Sequence, residues 1–451
     1  MSNKLSLMDI LLLSVPFLFL YRAAESKIIG FDNPWFKLAT SLLFFLIVLF
    51  ILWLGFKNVR IQIKINELFC GILILFLTCM AWFIFFFQQK YYAFAGYKIL
   101  DNIYLYIGLT FLSFLIMLWG LFKGNKKLAM VMLLTIFLCF WIVTLVSFPV
   151  VAQRSDMLPV IKKACLSFLN GKNPYQIYTF FNGQELYQLP LAYLPMIWIP
   201  YLPLVFSGLD LRILSILAFI LTALLFEHAC RKIDFKKRLI FLSTFFLLNP
   251  YILYRHEAYT YFFLFIFALF LVLLIKDKTL PAAVLFGLSF AARQTVMILI
   301  PILFVHLLKK YDFKKTIVFA LVSSAVVAIV ILPFLATSPG LFKYGVFDWF
   351  QRDVKLATPY ALRTAFNFSS LFGMFRLGVL LQPLQAILII LITAHACFFL
   401  KDKKQLLAYL TFAYLVFLMF NPHLMGYMYL PLLPLLFLYF SEVESIDLAL
   451  Q

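Results

Sequence analysis

Apolar runs of about 16 to 24 residues recur along the whole chain, and their length restricts the fold more than any other feature. A helix needs roughly 20 apolar residues to cross about 30 Å of hydrocarbon. Because a bilayer offers no water to backbone polar groups, a single chain of such runs crosses it as helices. The runs therefore predict an all-α membrane protein with many spans.

The composition agrees with this prediction. Of 451 residues, 65% are hydrophobic and 13% are charged, whereas soluble domains are about half apolar. The first run, Met8 to Tyr21, lacks a small-residue cleavage site after it, which favours a retained helix over a secretory signal. We predict about fourteen transmembrane helices, at 6–21, 37–56, 67–88, 103–122, 128–149, 211–230, 239–254, 258–275, 280–291, 295–308, 316–336, 377–400, 405–420 and 426–441.

The net charge of +19 lies in short connections between the runs rather than in one patch, so no nucleic-acid partner is predicted. The positive-inside rule places these connections, and both termini, in the cytoplasm of a multi-pass protein of the plasma (inner) membrane. Two long polar segments fall on the other side: the first polar segment, 150–210, and the second polar segment, 337–376. The basic connections are 57–64, 123–127, 231–238, 276–278, 309–315 and 401–404.

Several classes of chemistry are excluded by what the sequence lacks. Each predicted cytoplasmic connection has about ten residues or fewer, and no GxGxxG or GxxxxGK[ST] motif occurs, so a cytosolic nucleotide site is not expected. The six cysteines show no CxxC spacing and no nearby histidine cluster, so neither a disulfide framework nor a metal site is predicted. We expect any reaction on the extracytoplasmic side.

The first polar segment interrupts the apolar pattern most strongly. Residues 157–169 place apolar side chains at helical spacing on one side, which predicts an interfacial helix ending at the turn 171–175. The apolar run 189–206 carries too many prolines for a regular spanning helix, and broken backbone at membrane depth needs a protein or water environment. A broken re-entrant segment lining a cavity is predicted; its prolines are Pro190, Pro195, Pro200 and Pro203.

Asp156 is the candidate catalytic residue of this segment. It is an acid at the predicted membrane boundary, close to Arg154 and just before the interfacial helix. A carboxylate there can accept a proton from a hydroxyl as a general base. The alternative is that Ser155 or Asp156 caps the interfacial helix.

Other polar residues are predicted on the same side of the membrane. Arg255 and Arg293 are candidates for holding a phosphate, because a guanidinium binds phosphate oxygens in pairs. Arg255 has snorkelling to headgroups as its alternative, whereas Arg293 lies between two short apolar runs where an unpaired charge is costly. His256, Glu257 and His423 are candidates for substrate binding, with a structural role as the alternative for both histidines.

Five motifs occur together from the first polar segment onward. They are Asp156 after a predicted span, Phe168-Leu169-Asn170-Gly171-Lys172-Asn173-Pro174-Tyr175, Ala192-Tyr193-Leu194-Pro195, Phe290-Ala291-Ala292-Arg293-Gln294, and Asn421-Pro422-His423 with Tyr427 and Tyr429. In these motifs the chain resembles the GT-C superfamily of polytopic glycosyltransferases, most closely the polyprenyl-phosphate-mannose-dependent mannosyltransferases of glycosyltransferase family 87.

The resemblance implies a GT-C-like fold that transfers a hexose, mannose in that family, from a polyprenyl-phosphate donor to a lipid or glycan acceptor with inversion. It assigns Asp156 as the catalytic base. Arg293 and Arg255 would bind the donor phosphate in the lipid environment. No cofactor is required because fixed cations can stabilise the leaving phosphate, and a divalent cation stays open. The substrate-binding residues are expected to be Arg154, Tyr175, Tyr193, Glu257, His256 and His423.

The resemblance covers about residues 145–435, so residues 1–122 are predicted to be additional N-terminal spans of unassigned role before a core of 123–451. Two other classes stay open. An outer-face glycan polymerase or ligase would use a lipid-diphosphate donor, and the basic residues of the second polar segment fit it. A lipid-linked glycan transporter or flippase would also be a basic protein of many spans.

Overall fold

The computed structural model describes most of the chain from residue 66 onward. The described residues are 4–6, 42, 45–46, 49, 62–64, 66–92, 103–147, 150–152, 155–181, 185–231, 233–247, 260–349, 367–369, 372, 375, 377–421 and 426–449. Most of them are helical. The α-helices and strands are α1 (Glu67–Tyr92), α2 (Ile103–Phe122), α3 (Lys126–Ser147), α4 (Met157–Leu169), α5 (Pro195–Trp198), α6 (Leu202–Phe206), α7 (Arg212–Ala229), α8 (Phe235–Leu247), α9 (Thr260–Ile275), α10 (Thr279–Ala292), α11 (Ile300–Lys310), α12 (Phe313–Thr337), α13 (Pro339–Lys343), α14 (Leu381–Phe399), α15 (Lys403–Met419), α16 (Leu432–Ala449), β1 (Lys4–Ser6), β2 (Gln62–Lys64), β3 (Ile177–Phe181) and β4 (Leu186–Pro190).

The helical, membrane-type character predicted from the apolar runs is confirmed in its coarse form. Among the described residues, five helices are long and apolar enough to cross a bilayer: α2, α3, α7, α12 and the continuous helical stretch Gly378–Phe399. Helices α9 and α10 are apolar but shorter. Residues 7–21 of the predicted span 6–21, and most of 37–56, lie outside the described residues. The count of about fourteen spans and the GT-C-like topology stay predictions.

The chain divides into two compact units. Unit 1 comprises Met1–Phe31, Leu46–Val150 and Cys230–His256, and unit 2 comprises the remaining residues, including everything from Glu257 onward. This division follows packing and differs from the predicted boundary at residue 122, which followed the family resemblance and stays a prediction.

Aromatic packing and an ion pair contribute to holding unit 1 together. The rings of Phe137 in α3 and Phe246 in α8 stack at 4.7 Å. Lys236 at the start of α8 pairs with Glu67 at the start of α1, at 2.6 Å. Glu67 follows the basic connection 57–64, and Lys236 belongs to the basic connection 231–238. Their ion pair agrees with the prediction that these two connections lie at the same end of the helices.

Close helix packing in unit 2 depends on small residues. A Cβ built on Gly287 in α10 would lie 2.7 Å from the carbonyl oxygen of Ser323 in α12. The Ser323 hydroxyl donates a 3.0 Å hydrogen bond to the Ala283 carbonyl oxygen, which joins the two helices. Small residues and interhelical hydrogen bonds are the usual means by which helices associate inside a bilayer.

Helix α12 separates two chemically different ends of unit 2. Its 25 residues span about 37 Å. Near its first residue, Lys310 and Lys403 both contact Asp277, so three basic connections meet there. At its last residue, the Thr337 hydroxyl accepts a hydrogen bond from Asn173 in the first polar segment. Basic connections and polar segments therefore lie at opposite ends of this unit.

Candidate functional site

Helix α4 forms as predicted, from Met157 to Leu169, because its apolar residues fall on one side. Of the residues predicted on its apolar side, Ile161, Ala164 and Cys165 are buried, whereas Met157 is partly buried and Phe168 is exposed. The helix ends at Leu169, and two residues later Gly171 has a φ of +69°, which glycine adopts more readily than other residues. The Gly171 and Lys172 amides bond back to the Phe168 and Ser167 carbonyl oxygens, which completes a Schellman C-cap.

A short β-hairpin follows α4, an element that the sequence prediction did not include. Strands β3 and β4 pair antiparallel, with Phe180 opposite Tyr187. Side chains alternate along β3, so that Tyr178 and Phe180 are buried and their neighbours are exposed. The sequence carried a signal for it, because Asn182-Gly183 stands between two alternating runs and is typical of a hairpin turn.

Asp156 occupies the N-terminal boundary of α4, where it is partly buried. Its side chain makes no hydrogen bond that caps the helix, and its backbone is already helical, with φ −79° and ψ −12°. A capping residue normally has extended backbone and accepts a bond from the first turn. Burial raises the pKa of the Asp156 carboxyl. The Asp156 carboxyl therefore does not cap α4, and burial shifts it towards the protonated form.

Tyr187 is a neighbour of Asp156 that the sequence did not predict. Burial raises the pKa of the Tyr187 phenol, and the charge of Asp156 raises it further. The Tyr187 ring lies 5.9 Å from that of Phe180. Strand β4 therefore places a phenol within electrostatic range of the candidate base.

Lys163 adds a cation on the same side of α4. It follows Asp156 by seven residues, which is two helical turns or about 10 Å along the axis. Its amine lies 4.3 Å from the centroid of the Phe180 ring and donates a 2.5 Å hydrogen bond to the Thr179 carbonyl oxygen. An acid, a phenol and an ammonium group thus line the surface where α4 meets the hairpin.

The proline-rich run is broken as predicted. It consists of α5, the 3-10 turn Ile199–Tyr201 and α6, with prolines in the first turn of each piece. Trp198 is fully buried, and its ring lies 5.2 Å from that of Phe334 in α12. The broken segment is therefore packed against a long apolar helix, which is the environment that irregular backbone needs.

Tyr175 and Tyr193 lie together, but in a packing arrangement. The Tyr175 hydroxyl donates a 2.9 Å hydrogen bond to the Tyr193 carbonyl oxygen. Only 1% of Tyr175 is exposed, its ring lies 4.6 Å from that of Phe342, and burial raises its pKa. The expectation that these two tyrosines bind substrate stays a prediction.

The second polar segment packs on the first. The Asn173 amide donates a 2.9 Å hydrogen bond to the Thr337 hydroxyl. Gly345, in the π-helical turn Tyr344–Asp348, approaches the Leu191 carbonyl oxygen so closely that a Cβ would overlap it. The two segments that the sequence separates by more than a hundred residues therefore form one surface in unit 2.

Arg293 lies in a break between helices, as its flanking short runs predicted. It follows α10 in extended conformation, with φ −145° and ψ 117°, before the 3-10 helix Gln294–Leu299. Its guanidinium carbon lies 5.6 Å from the centroid of the Phe263 ring, and 5% of the residue is exposed. The next side chain, Gln294, donates a 3.4 Å hydrogen bond to the Val346 carbonyl oxygen. Residues 345 and 346 of the second polar segment therefore contact Leu191 of the first polar segment on one side and Gln294, next to Arg293, on the other.

The other predicted site residues, Arg154, Arg255, His256, Glu257 and His423, lie outside the described residues. Within the described part, no group of three or more His, Cys, Asp or Glu side chains is placed to hold a metal ion. Comparison of the chain with protein-family models, curated proteins and solved structures finds no match. The environments of Asp156 and Arg293 are therefore the observations from which a function can be proposed.

Proposed function

We propose that the protein is a membrane glycosyltransferase that moves a hexose from a polyprenyl-phosphate donor to a hydroxyl of a lipid or glycan acceptor. The observation that carries this proposal is Asp156, a partly buried carboxylate with a raised pKa that caps no helix. Groups with shifted pKa values in a polar recess are frequent at catalytic sites. The two polar segments pack together beside apolar helices, through the Asn173–Thr337 hydrogen bond and the Gly345–Leu191 contact.

In the proposed reaction, the Asp156 carboxylate takes the proton of the acceptor hydroxyl. The acceptor oxygen attacks the anomeric carbon as the bond from that carbon to the phosphate oxygen breaks, and the phosphate leaves with the electron pair. This single displacement inverts the anomeric centre. A carboxyl pKa raised towards the working pH makes the carboxylate a stronger base for this step. Tyr187, within electrostatic range of Asp156, and Lys163, two turns along α4, are the residues that we assign to acceptor binding.

Arg293 is the proposed partner of the departing phosphate. Its buried position makes its fixed charge more effective than it would be in water. Arg255 is proposed for the same role from the sequence alone. Because these cations can stabilise the leaving phosphate monoester, the proposed reaction requires no metal. Mannose is proposed as the sugar from the family resemblance.

The finer topology belongs to the same proposal. It comprises about fourteen spans in a GT-C-like arrangement in the plasma membrane, with both termini in the cytoplasm. The separation of basic connections from polar segments at the two ends of α12 supports placing the site on the extracytoplasmic side. Residues 1–122 are proposed as additional spans before the core of 123–451.

The test is transfer by purified protein in liposomes supplied with polyprenyl-phosphate-mannose and lipid extract. Asp156→Asn should lower the transfer rate at least about 100-fold, the usual contribution of a general base. Asp348→Asn is the matched control, because Asp348 is a carboxylate of the second polar segment that pairs with Lys343 at 2.7 Å. Transfer that survives in Asp156→Asn would contradict the proposal.

The same preparation separates the other two classes. A lipid-diphosphate donor used in preference to the monophosphate would indicate a polymerase or ligase. The Lys343–Asp348 pair gives one basic side chain of the second polar segment an internal partner, which favours the monophosphate enzyme. Movement of lipid-linked sugar across the bilayer without a new glycosidic bond would indicate a transporter.

A further inference from the structure

A polar cavity lies at the opposite end of unit 2 from Asp156. It has a volume of about 390 Å³ and lies where α11 ends and the turn from α14 to α15 begins. Its walls include the buried side chain of His306 and the residues Leu400 and Asp402. Five lysines complete its lining: Lys309, Lys310, Lys401, Lys403 and Lys404.

The lining of this cavity is predominantly basic. Asp402 lines it, and Asp277 contacts it from the neighbouring connection through Lys310 and Lys403. The lining itself holds five lysines and one carboxylate. Both carboxylates also accept hydrogen bonds from other groups. The donors are the backbone amide of Gln405, at 2.7 Å from Asp402, and the Tyr311 hydroxyl, which bonds to Asp277.

The lysines are held in place by the fold. The Lys309 amine donates hydrogen bonds of 3.4 and 3.2 Å to the Ala396 and Leu400 carbonyl oxygens at the end of α14. Lys404 is only 8% exposed, in the first turn of α15. Bringing these cations together has a cost from mutual repulsion, which an anion in the cavity would offset. A phosphate group offers enough oxygens for several ammonium donors.

Apolar surface adjoins the cavity. Phe398 and Phe399, just before its Leu400 wall, are 76% and 54% exposed. Lipid tails beside a helix end would cover such side chains while a headgroup reached the lysines. Basic pockets between transmembrane helices on the cytoplasmic side commonly bind anionic headgroups.

We propose that this cavity binds a phosphate-bearing anion, with an anionic phospholipid of the cytoplasmic leaflet as its source. The site would anchor the junction of α11, α14 and α15 against the membrane surface. The proposal does not depend on glycosyl transfer, because no residue of the Asp156 site contributes to the cavity.

The experiment measures lipid binding by delipidated full-length protein in neutral detergent, using native mass spectrometry. The probes are phosphatidylglycerol, phosphatidylcholine and inorganic phosphate. The variant Lys401→Gln/Lys403→Gln removes two cations, and Lys401→Arg/Lys403→Arg keeps them. Lys126→Gln/Lys127→Gln, in an exposed basic connection of unit 1, is the matched control.

Phosphatidylglycerol should bind the glutamine variant about 30-fold more weakly than wild type, from two lysine contacts. The arginine variant and the unit 1 control should bind as wild type does, and phosphatidylcholine should bind weakly to all. Binding of inorganic phosphate that is lost in the glutamine variant would also support the site and would assign it to a soluble anion. Equal binding of both anions by wild type and the glutamine variant, with both proteins folded, would overturn the proposal.

Discussion

The negative charge of Asp156 acts on the Tyr187 phenol, whose pKa is raised first by burial and then by that charge. Asp156 stands at the start of α4 and Tyr187 in β4, so the hairpin brings the Tyr187 phenol within electrostatic range of Asp156. Register fixes which side chains face the helix, because a one-residue slip would turn Tyr187 to the other side of the strand. The hairpin is therefore a functional part of the proposed site rather than a connection between helices.

Asp156→Asn should raise the thermal unfolding midpoint at neutral pH, in addition to abolishing transfer. Burial raises the pKa of Asp156 in the folded protein above its unfolded value. The stability from this group is therefore fully present below the unfolded pKa and is lost as pH rises through the folded pKa. An amide carries no charge at any pH and avoids that loss.

The measurement is the unfolding midpoint of wild type and Asp156→Asn in detergent, from acidic to neutral pH. The advantage of the variant should grow as the pH rises. A variant that is less stable than wild type at neutral pH would instead indicate that the carboxylate has a structural role at the start of α4.

Gly345→Ala should weaken the contact between the two polar segments. The new Cβ would overlap the Leu191 carbonyl oxygen, and backbone atoms cannot move aside as a flexible side chain can. We expect a loss of about 1–3 kcal/mol in the free energy of unfolding and a lower transfer rate.

Gly340→Ala is the matched control for this change. Gly340 lies in the preceding helix α13, and its Cβ would meet no atom within 4 Å. Alanine there should be neutral or slightly stabilising, because it favours helix. Equal effects of the two substitutions on the unfolding midpoint and on transfer would show that the Leu191 contact is unimportant.

The sequence predicts the long apolar helices well because length and hydropathy decide them. The prediction 103–122 coincides with α2, and 316–336 lies within α12. It also locates the Arg293 break, since both flanking runs are too short to be regular spans. These features depend on local composition alone.

Features that depend on contacts between distant segments could not be predicted in this way. Tyr187 approaches Asp156, and Lys163 contacts Phe180, only through the hairpin, whose Asn182-Gly183 signal is short compared with the apolar pattern around it. The cavity at the basic end forms because connections near Asp277, Lys310 and Lys403 meet. Hydropathy places these connections on one side of the membrane but does not bring them into contact.

Gly287→Ala should destabilise the packing of α10 on α12. Its Cβ would lie 2.7 Å from the Ser323 carbonyl oxygen and 2.8 Å from the Val326 Cβ, so the helices would have to separate. We expect a loss of about 1–3 kcal/mol. Gly108→Ala in α2, where a Cβ meets nothing within 4 Å, should not lower the unfolding midpoint. An unchanged midpoint for Gly287→Ala would contradict the close crossing.

Asp277→Asn should destabilise the basic end of unit 2 without straining its backbone. Asp277 has a φ of +61°, a conformation that asparagine adopts more readily than most residues. Burial alone would raise the pKa of the Asp277 carboxyl, but hydrogen bonds from Lys310, Lys403 and Tyr311 hold it well below its ordinary value. Because the carboxylate is 43% exposed, solvent screening limits the loss to about 1 kcal/mol.

The sign of its pH dependence is opposite to that of Asp156. A depressed folded pKa contributes stability above the unfolded pKa that is lost as pH falls through the folded pKa, so the difference between wild type and Asp277→Asn should shrink in acid. Asp348→Asn, which breaks the more exposed pair with Lys343, should leave the midpoint unchanged.

Since Asp277→Asn releases Lys310 and Lys403 from their carboxylate, it should also strengthen phosphatidylglycerol binding. Weaker lipid binding in this variant would mean that Asp277 shapes the cavity rather than competing with its anion.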